Sequence, residues 1–247
     1  MGGSRGAASA RPLAARRRRL AEERLGAELS GLRIIGRKDK IPEATVNRLS
    51  IYCRVLNQLE EEGRWVVSSS ELAVRCALNA AQIRKDLAYF GEFGVRGVGY
   101  FVRALKEDIK RILGVTRIWK VALVGAGNLG SALLSYKGFL AHGFTIDAVF
   151  DKFPDQPHPR KPGIPKVLPM KELRRVVRAK GIKMGIVAVP PEGAQGVVNQ
   201  LVGAGITGIL NFAPIQIQVP RGVKLRNVDL GSELESLAYY LSQDSEE

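Results

Sequence analysis

The sequence predicts an α/β chain in two parts: a small helical module with a β-wing, then a doubly wound, mainly parallel sheet closed by a C-terminal helix. Three observations predict it. Residues 42–102 read as three helices and a glycine-rich hairpin, residues 118–151 read as strand, glycine turn, helix and strand, and short apolar runs then alternate with amphipathic ones to the end. A chain of 247 residues is long enough for two modest domains, each with its own core. We place the boundaries at 1–39 for a basic tail, 40–114 for the helical module, 115–230 for the sheet domain and 231–247 for a C-terminal dimerisation helix and tail.

Composition narrows the classes. The longest apolar runs stop short of the roughly 18 residues a membrane span needs. Cys53 and Cys76 are the only cysteines; they form no close-spaced pair, which argues against a disulfide framework or a zinc site and fits a reducing, cytoplasmic setting. The formal net charge of +14 invites a nucleic-acid reading. Half of it, however, sits in residues 1–40, with eleven basic and four acidic side chains. A polycationic tail can be merely solvated, so net charge alone does not establish DNA binding.

In chain order, residues 1–39 are rich in Ala, Gly, Ser and Arg, with Arg16, Arg17, Arg18 and Arg19 in an unbroken run. They are expected to be disordered, with a transient helix near residues 13–29. Their transit-peptide character is spoiled by Glu22, Glu23 and Glu28; a phosphate-binding arm and plain solvation stay open. Pro42 suits a first helical turn, and Val46, Leu49, Cys53, Leu56 and Leu59 mark one helix face ending before Gly63. Ser68 and Glu71 form a capping box that opens a short helix with Leu72, Ala73 and Cys76 inward. Asn79, with Gln82 three residues on, caps a third helix running to Phe90 with Ile83, Leu87 and Phe90 inward. Gln82, Arg84, Lys85 and Tyr89 are left outside or at its edge. Two short helices joined by a tight turn after a longer one make a helix-turn-helix.

Residues 91–102 interleave apolar and aromatic residues with glycines, a small hairpin or wing with Arg96 near its tip. The third helix of a winged helix-turn-helix enters the major groove while the wing reaches the neighbouring backbone or minor groove. Arg84 and Lys85 alone would be an ordinary solvated face. In series with the two caps, the turn and the Arg-bearing wing they point to double-stranded DNA. Residues 103–113 form a linking helix that ends at Gly114.

Val121, Ala122, Leu123 and Val124 form an apolar run too short for a helix and bounded by glycine, hence a buried strand. Gly125, Gly127 and Gly130 follow in the spacing G-x-G-x-x-G, then a helix marked by Leu129, Ala132, Leu133 and Tyr136. A second apolar run, 144–150, ends at Asp151. Each part suits a dinucleotide. Gly125 allows the tight turn, Gly127 lets backbone approach a pyrophosphate, Gly130 lets helix and strand pack, and the free N–H groups of the helix start hold the anion. Asp151 can accept both ribose hydroxyls and repel a 2′-phosphate, favouring NAD+ and NADH, although the cation of Lys152 beside it would tolerate a phosphate. The glycine pattern alone is a weak signal; the strand before it, the helix after it and the acid at the expected distance make a Rossmann-type dinucleotide site. Residues 153–165 read as a Pro-rich loop and 171–180 as a basic helix. Strands follow at 185–189, 208–212 and 223–228, with a helix from Pro190 through Val202 and a last helix over 231–242.

No catalytic apparatus is visible. Hydride-transfer enzymes need a group for the accompanying proton. His142 reads as a surface-loop residue, His158 sits in the Pro-rich loop, and Tyr136 and Lys137 are adjacent rather than a turn apart. Neither a nucleophile nor a metal cluster stands out. The cofactor therefore reads as a signal.

The segments QIRKDLAYFG (82–91), GVRGVGY (94–100), GAGNLG (125–130), VP (189–190) and GILNFAP (208–214) closely resemble the Rex family of redox-sensing transcriptional repressors, over roughly residues 41–241. The resemblance implies a homodimer that binds a palindromic operator with NAD+ or at low NADH and releases it on binding NADH. It implies cofactor contact at Gly125, Ala126, Gly127, Asn128, Leu129, Gly130, Asp151, Lys152, Val189, Pro190, Asn211 and Phe212. It implies DNA contact at Arg48, Ser68, Ser69, Gln82, Arg84, Lys85, Tyr89, Arg96 and Tyr100. The family's arginine, tyrosine and aspartate switch falls on Arg54, Tyr136 and Asp229, and its C-terminal helix, exchanged between subunits, on residues 232–241. The long N-terminal tail departs from the family pattern. Two other readings stand beside it: an NAD-dependent oxidoreductase with an accessory helix-turn-helix, and a CoA-binding module of related fold, against which Asp151 and the full glycine pattern argue.

Overall fold

In the computed structural model, residues 41–155 and 165–244 are described. The expectations for the tail, for His158 and for most of the Pro-rich loop lie outside them. The chain divides between Thr116 and Arg117 into two units.

The first unit packs four helices on a three-stranded antiparallel sheet. Helix α1 spans Glu43–Glu61, strand β1 Val66–Val67, α2 Ser69–Arg75, α3 Ala80–Ala88, β2 Gly94–Val95, β3 Gly99–Phe101 and α4 Val102–Leu113. Pro42 is the N-cap of α1 rather than its first helical residue. The buried face of α1 is Thr45, Leu49, Tyr52, Val55, Leu56 and Leu59. Leu49, Leu56 and Leu59 face inward as expected, whereas Val46 is exposed and Cys53 half-buried, with Thr45 and Tyr52 buried beside them instead.

The caps form as read: the Ser68 hydroxyl accepts from Glu71 N at 3.0 Å, and Asn79 Oδ1 accepts from Gln82 N at 2.7 Å. The Glu71 carboxylate, the other half of the expected box, faces Arg64 instead. Between the two helices Ala77 takes a left-handed φ of 52°, which turns the chain sharply. Ile83, Leu87 and Phe90 are buried with Leu49, Leu56, Leu72, Leu105 and Ile109 in one core. The hairpin β2–β3 places Arg96 in its turn. Strand β1, which pairs Val66 with Phe101 and Val67 with Tyr100, was not legible in the sequence: two residues carry no period, and only the distant β3 makes them a strand.

The second unit is a six-stranded, wholly parallel sheet. Its elements are β4 Trp119–Val124, α5 Asn128–Ser135, α6 Gly138–Ala141, β5 Phe144–Asp151, β6 Val167–Pro169, α7 Leu173–Lys180, β7 Met184–Val187, α8 Pro191–Ala204, β8 Gly208–Asn211, β9 Lys224–Asn227 and α9 Leu230–Asp244, with a 3-10 turn at Met170–Glu172. The spatial order is β6-β5-β4-β7-β8-β9. That is the Rossmann order, reversing between β4 and β7, the place where such sheets bind ligands beyond the strands' carboxyl ends. One face is thickly covered, by Leu173, Val176 and Val177 of α7 and Ala194, Val198 and Leu201 of α8. Side chains from α5 and α6 cover the other, leaving Met184, Leu210 and Phe212 only partly buried. Helix α9 shields none of its own apolar residues: Leu234 is 68%, Leu237 58% and Tyr240 64% exposed. No helix among the described residues is long and apolar enough to cross a membrane.

Candidate functional site

The glycine turn sits at the β4/β7 reversal, and its three glycines do different things. Gly125 holds φ at +99°, and a Cβ there would run into the carbonyl of Ala188 at the end of β7; its N–H is tied to Phe150 O at 2.9 Å. A Cβ on Gly130 would overlap the carbonyl oxygen of Gly125, so α5 packs on the turn only without one. Gly127, the N-cap of α5, differs: a Cβ there would meet nothing within 4 Å. Its openness is toward solvent, where backbone can approach an anion at the start of an eight-residue helix.

Asp151 ends β5 beside this turn. Its Oδ2 accepts from Ala126 N at 2.7 Å and its Oδ1 from Phe153 N at 2.8 Å. The carboxylate is thus fixed over the loop, and its charge lies beside the glycine turn. The Lys152 ammonium turns to the Phe153 ring, 5.4 Å from its centroid. Ser131, which the sequence did not single out, donates to Ala126 O at 3.0 Å and braces the loop. Val189 and Pro190 leave β7 at the same edge. Asn211 is fully buried, its amide spent on both Ala213 backbone groups and Asn227, so it shapes the turn; Phe212, its neighbour, is half-buried. Open Gly127, the helix start and the fixed acid fit a pyrophosphate and a ribose. Bound there, a nicotinamide dinucleotide would supply the redox-dependent charge of its ring.

On the first unit, Arg84, Lys85 and Arg96 are exposed. The Arg84 guanidinium is held by Ser69 Oγ at 2.8 Å, tying α3 to the start of α2. An open cleft between α3 and the wing is lined by Ser68, Ser69, Arg84, Arg96 and Tyr100. Tyr100 itself is buried, only 8% exposed, and Gly94 gives its ring room: a Cβ there would sit 2.9 Å from it. Ser68 is exposed and Tyr89 half-buried at the helix edge.

Arg48 and Gln82 turn the other way. Both reach Asp86, which is 0% exposed. Arg48 Nε and Nη2 donate to it at 2.6 and 2.8 Å, Gln82 Nε2 at 2.9 Å, Tyr52 Oη at 2.7 Å and Thr45 Oγ1 at 3.1 Å. Burial pushes the Asp86 carboxyl up, but the hydrogen bonds from Arg48, Tyr52, Gln82 and Thr45 outweigh it and hold its pKa below the usual value. Burial, with the Asp86 bond, pushes the Tyr52 phenol well above its ordinary range. Reading inward positions alone would have found this acid: Ile83, Asp86, Leu87 and Phe90 share one helical stripe. Burial pushes the Cys76 thiol up to about 11, which disfavours the thiolate a nucleophile needs.

Of the three residues expected to form a switch, Arg54 is exposed on α1, in the first unit. In the second, Tyr136 lies just past α5 rather than on its face, with its ring edge-on to Phe139 at 5.2 Å and lying across Gly138. Asp229 Oδ1 accepts from Gly231 N and Ser232 N at 3.0 and 3.3 Å, opening α9. His142 lies exposed at the end of α6, and no group of three His, Cys, Asp or Glu side chains among the described residues is placed to hold a metal.

Comparison with known proteins bears on both units. A family model described as a DNA-binding protein N-terminus matches residues 40–88, and one described as a CoA binding domain matches residues 116–215. The redox-sensing transcriptional repressor Rex of Syntrophobacter fumaroxidans is 52% identical over 203 residues, 82% of this chain and 97% of that protein. Its namesake in Streptomyces coelicolor is 46% identical over 81% of this chain and 77% of that protein. Among solved structures, RSP in complex with β-NAD+ and operator DNA matches with a TM-score of 0.78 at 35% identity, over 84% of this chain and 95% of that one. RSP in complex with β-NADH matches at 0.74 and 33%, over 84% and 97%.

Proposed function

This chain belongs to the Rex family of redox-sensing transcriptional repressors, and from that membership we propose that it is a DNA-binding repressor that senses the ratio of NADH to NAD+. It binds a palindromic operator as a homodimer when NADH is low, releases it on binding NADH, and works in the cytoplasm. One observation carries the reading: a single chain joins an outward-facing Arg84, Lys85 and Arg96 on helix and wing to a glycine turn whose Gly127 stands open beside Asp151. The relatives solved with β-NAD+ and operator DNA, and with β-NADH, support the same pairing.

In this reading Arg84, Lys85 and Arg96 contact DNA directly and Ser69 aims Arg84. Arg48, Gln82 and Tyr100 serve that face from behind. The two cofactor forms differ by one charge at the nicotinamide, and a sensor responds only as far as they bind its two states differently. Moving a population from 1:99 to 99:1 takes about 5.5 kcal/mol of such difference, which favours two sites acting together in a dimer. Helix α9 supplies a means: its exposed leucines and tyrosines match the thinly covered sheet face of a second copy, so exchange of α9 would bury both. Arg54, Tyr136 and Asp229 are the switch through which cofactor state reaches the DNA-binding unit.

The test is fluorescence anisotropy on a labelled palindromic duplex at fixed salt, without cofactor, with NAD+ and with NADH. Release by NADH alone is the expected result; equal binding in all three conditions overturns the sensor reading. The description "CoA binding domain" keeps one alternative ligand in view. A thermal-shift comparison decides it, protection by NADH exceeding that by acyl-CoA being expected.

A further inference from the structure

A carboxylate taken fully out of water in a small domain costs several kcal/mol unless every oxygen lone pair finds a donor. Asp86 meets that condition with five hydrogen bonds. Four of them come from three residues of α1, Thr45, Arg48 and Tyr52, which lie on one face of that helix at spacings of three and four. The fifth, from Gln82, lies one turn back on α3 itself. The apolar side chains these helices contribute to one core, Leu49, Leu56, Ile83 and Leu87 among them, allow sliding, whereas a bidentate guanidinium and a phenol on one carboxylate allow a single rotation of α3 about its axis. Asp86 adjoins Lys85 and is two residues from Arg84, so the rotation that seats it inward also aims those cations outward.

The magnitude is decisive. Side-chain tips lie about 5–6 Å from a helix axis, so a rotation of roughly 20° carries them about 2 Å, beyond the range of a hydrogen bond to a base edge. Buried ion pairs contribute little net stability and are best attested as devices of registry. We propose that Asp86 is the positioning residue of the DNA-reading helix: it clamps α3 to α1 and sets the angle at which Arg84 and Lys85 meet the groove. The same clamp ties α3 to the helix that carries Arg54, so a displacement of α1 is passed on to the reading helix. The inference rests on the reading of α3 as the DNA-contacting helix.

The experiment uses the full chain, an operator duplex selected with the wild-type protein, and a scrambled duplex of equal length. Anisotropy yields Kd for each, and NADH fluorescence reports the cofactor site. In Asp86→Asn the ratio of scrambled to operator Kd falls at least tenfold, while scrambled-duplex affinity, its salt dependence and NADH affinity stay within twofold. Tyr52→Phe and Thr45→Val lose the ratio in smaller steps, and Thr45→Ser, which keeps the hydroxyl, restores it. Should Asp86→Asn fail to fold, Tyr52→Phe and Thr45→Val decide alone. Proportional weakening on both duplexes, or an unchanged ratio in the folded variants, overturns the clamp. A wild-type protein that prefers neither duplex overturns instead the reading on which the clamp rests.

Discussion

Gly127 and Gly130 belong to one motif, yet the structure assigns them opposite consequences on substitution. Gly130→Ala drives a methyl into the backbone carbonyl of Gly125, coming within 2.9 Å of its carbon. That carbonyl belongs to a turn held by the Gly125 to Phe150 hydrogen bond and cannot rotate aside as a side chain would. Overpacking of this kind costs about 1–3 kcal/mol; with backbone on one side and helix on the other, the upper end applies. For a unit of this size, about 3 kcal/mol corresponds to a fall in melting temperature of roughly 10 °C. Gly127→Ala adds its methyl where nothing lies within 4 Å, at a φ of −65° that alanine adopts freely. Its effect on stability is within about 1 kcal/mol, because alanine restricts the unfolded chain but is a poorer N-cap than glycine. The methyl does, however, fill the approach to the helix start, so NADH affinity falls at least tenfold, about 1.4 kcal/mol. Differential scanning calorimetry and NADH fluorescence titration on both variants separate the two effects. Wild-type NADH affinity in Gly127→Ala, or an unchanged melting temperature in Gly130→Ala, would refute the assignment of one glycine to the ligand and the other to the fold.

Four further outcomes follow from the same geometry. Arg84→Ala weakens operator binding by about 1–3 kcal/mol with NADH affinity intact, by anisotropy and fluorescence; equal loss of both removes Arg84 from the DNA face. Asp151→Asn keeps an acceptor for Ala126 N but loses the charge, so the preference for NADH over NADPH narrows in competitive titration. The Asp86 pKa is lower folded than unfolded, so the folded state binds fewer protons; its contribution is whole above the unfolded value of about 3.9 and is lost as pH falls through the folded one. Acid unfolding of the wild type, followed by circular dichroism, is therefore steeper below about pH 4 than that of Asp86→Asn. Deleting residues 230–247 removes the exposed leucines and tyrosines of α9, and sedimentation then finds a monomer whose melting of the first unit is unchanged.

Local signals were legible in the sequence wherever one short stretch contains its own reason. The strand, glycine turn, helix and acid of residues 118–151 stand where their spacing puts them, and so do the caps at Ser68 and Asn79 and the wing turn at Arg96. Each rests on backbone stereochemistry or on a hydrogen bond spanning three residues. The family followed from those motifs together, because a helix-turn-helix and a dinucleotide turn in this order constrain the chain far more than either alone.

Only tertiary structure decided what distant residues do to one another. Val66 and Val67 are a strand because β3 lies beside them, and β6 is one because β5 does. Arg48 and Gln82 look from the sequence like two more polar residues for a phosphate, yet a carboxylate 38 residues away from Arg48 takes both inward. Tyr100 goes under the wing for the space that Gly94 leaves. Gly127 and Gly130 share a motif letter, and their difference exists only once the Gly125 carbonyl is in place beside one of them. Periodicity and spacing report the free energy of a segment with itself, whereas burial, saturation of a buried charge and room for a methyl depend on neighbours that folding alone brings together.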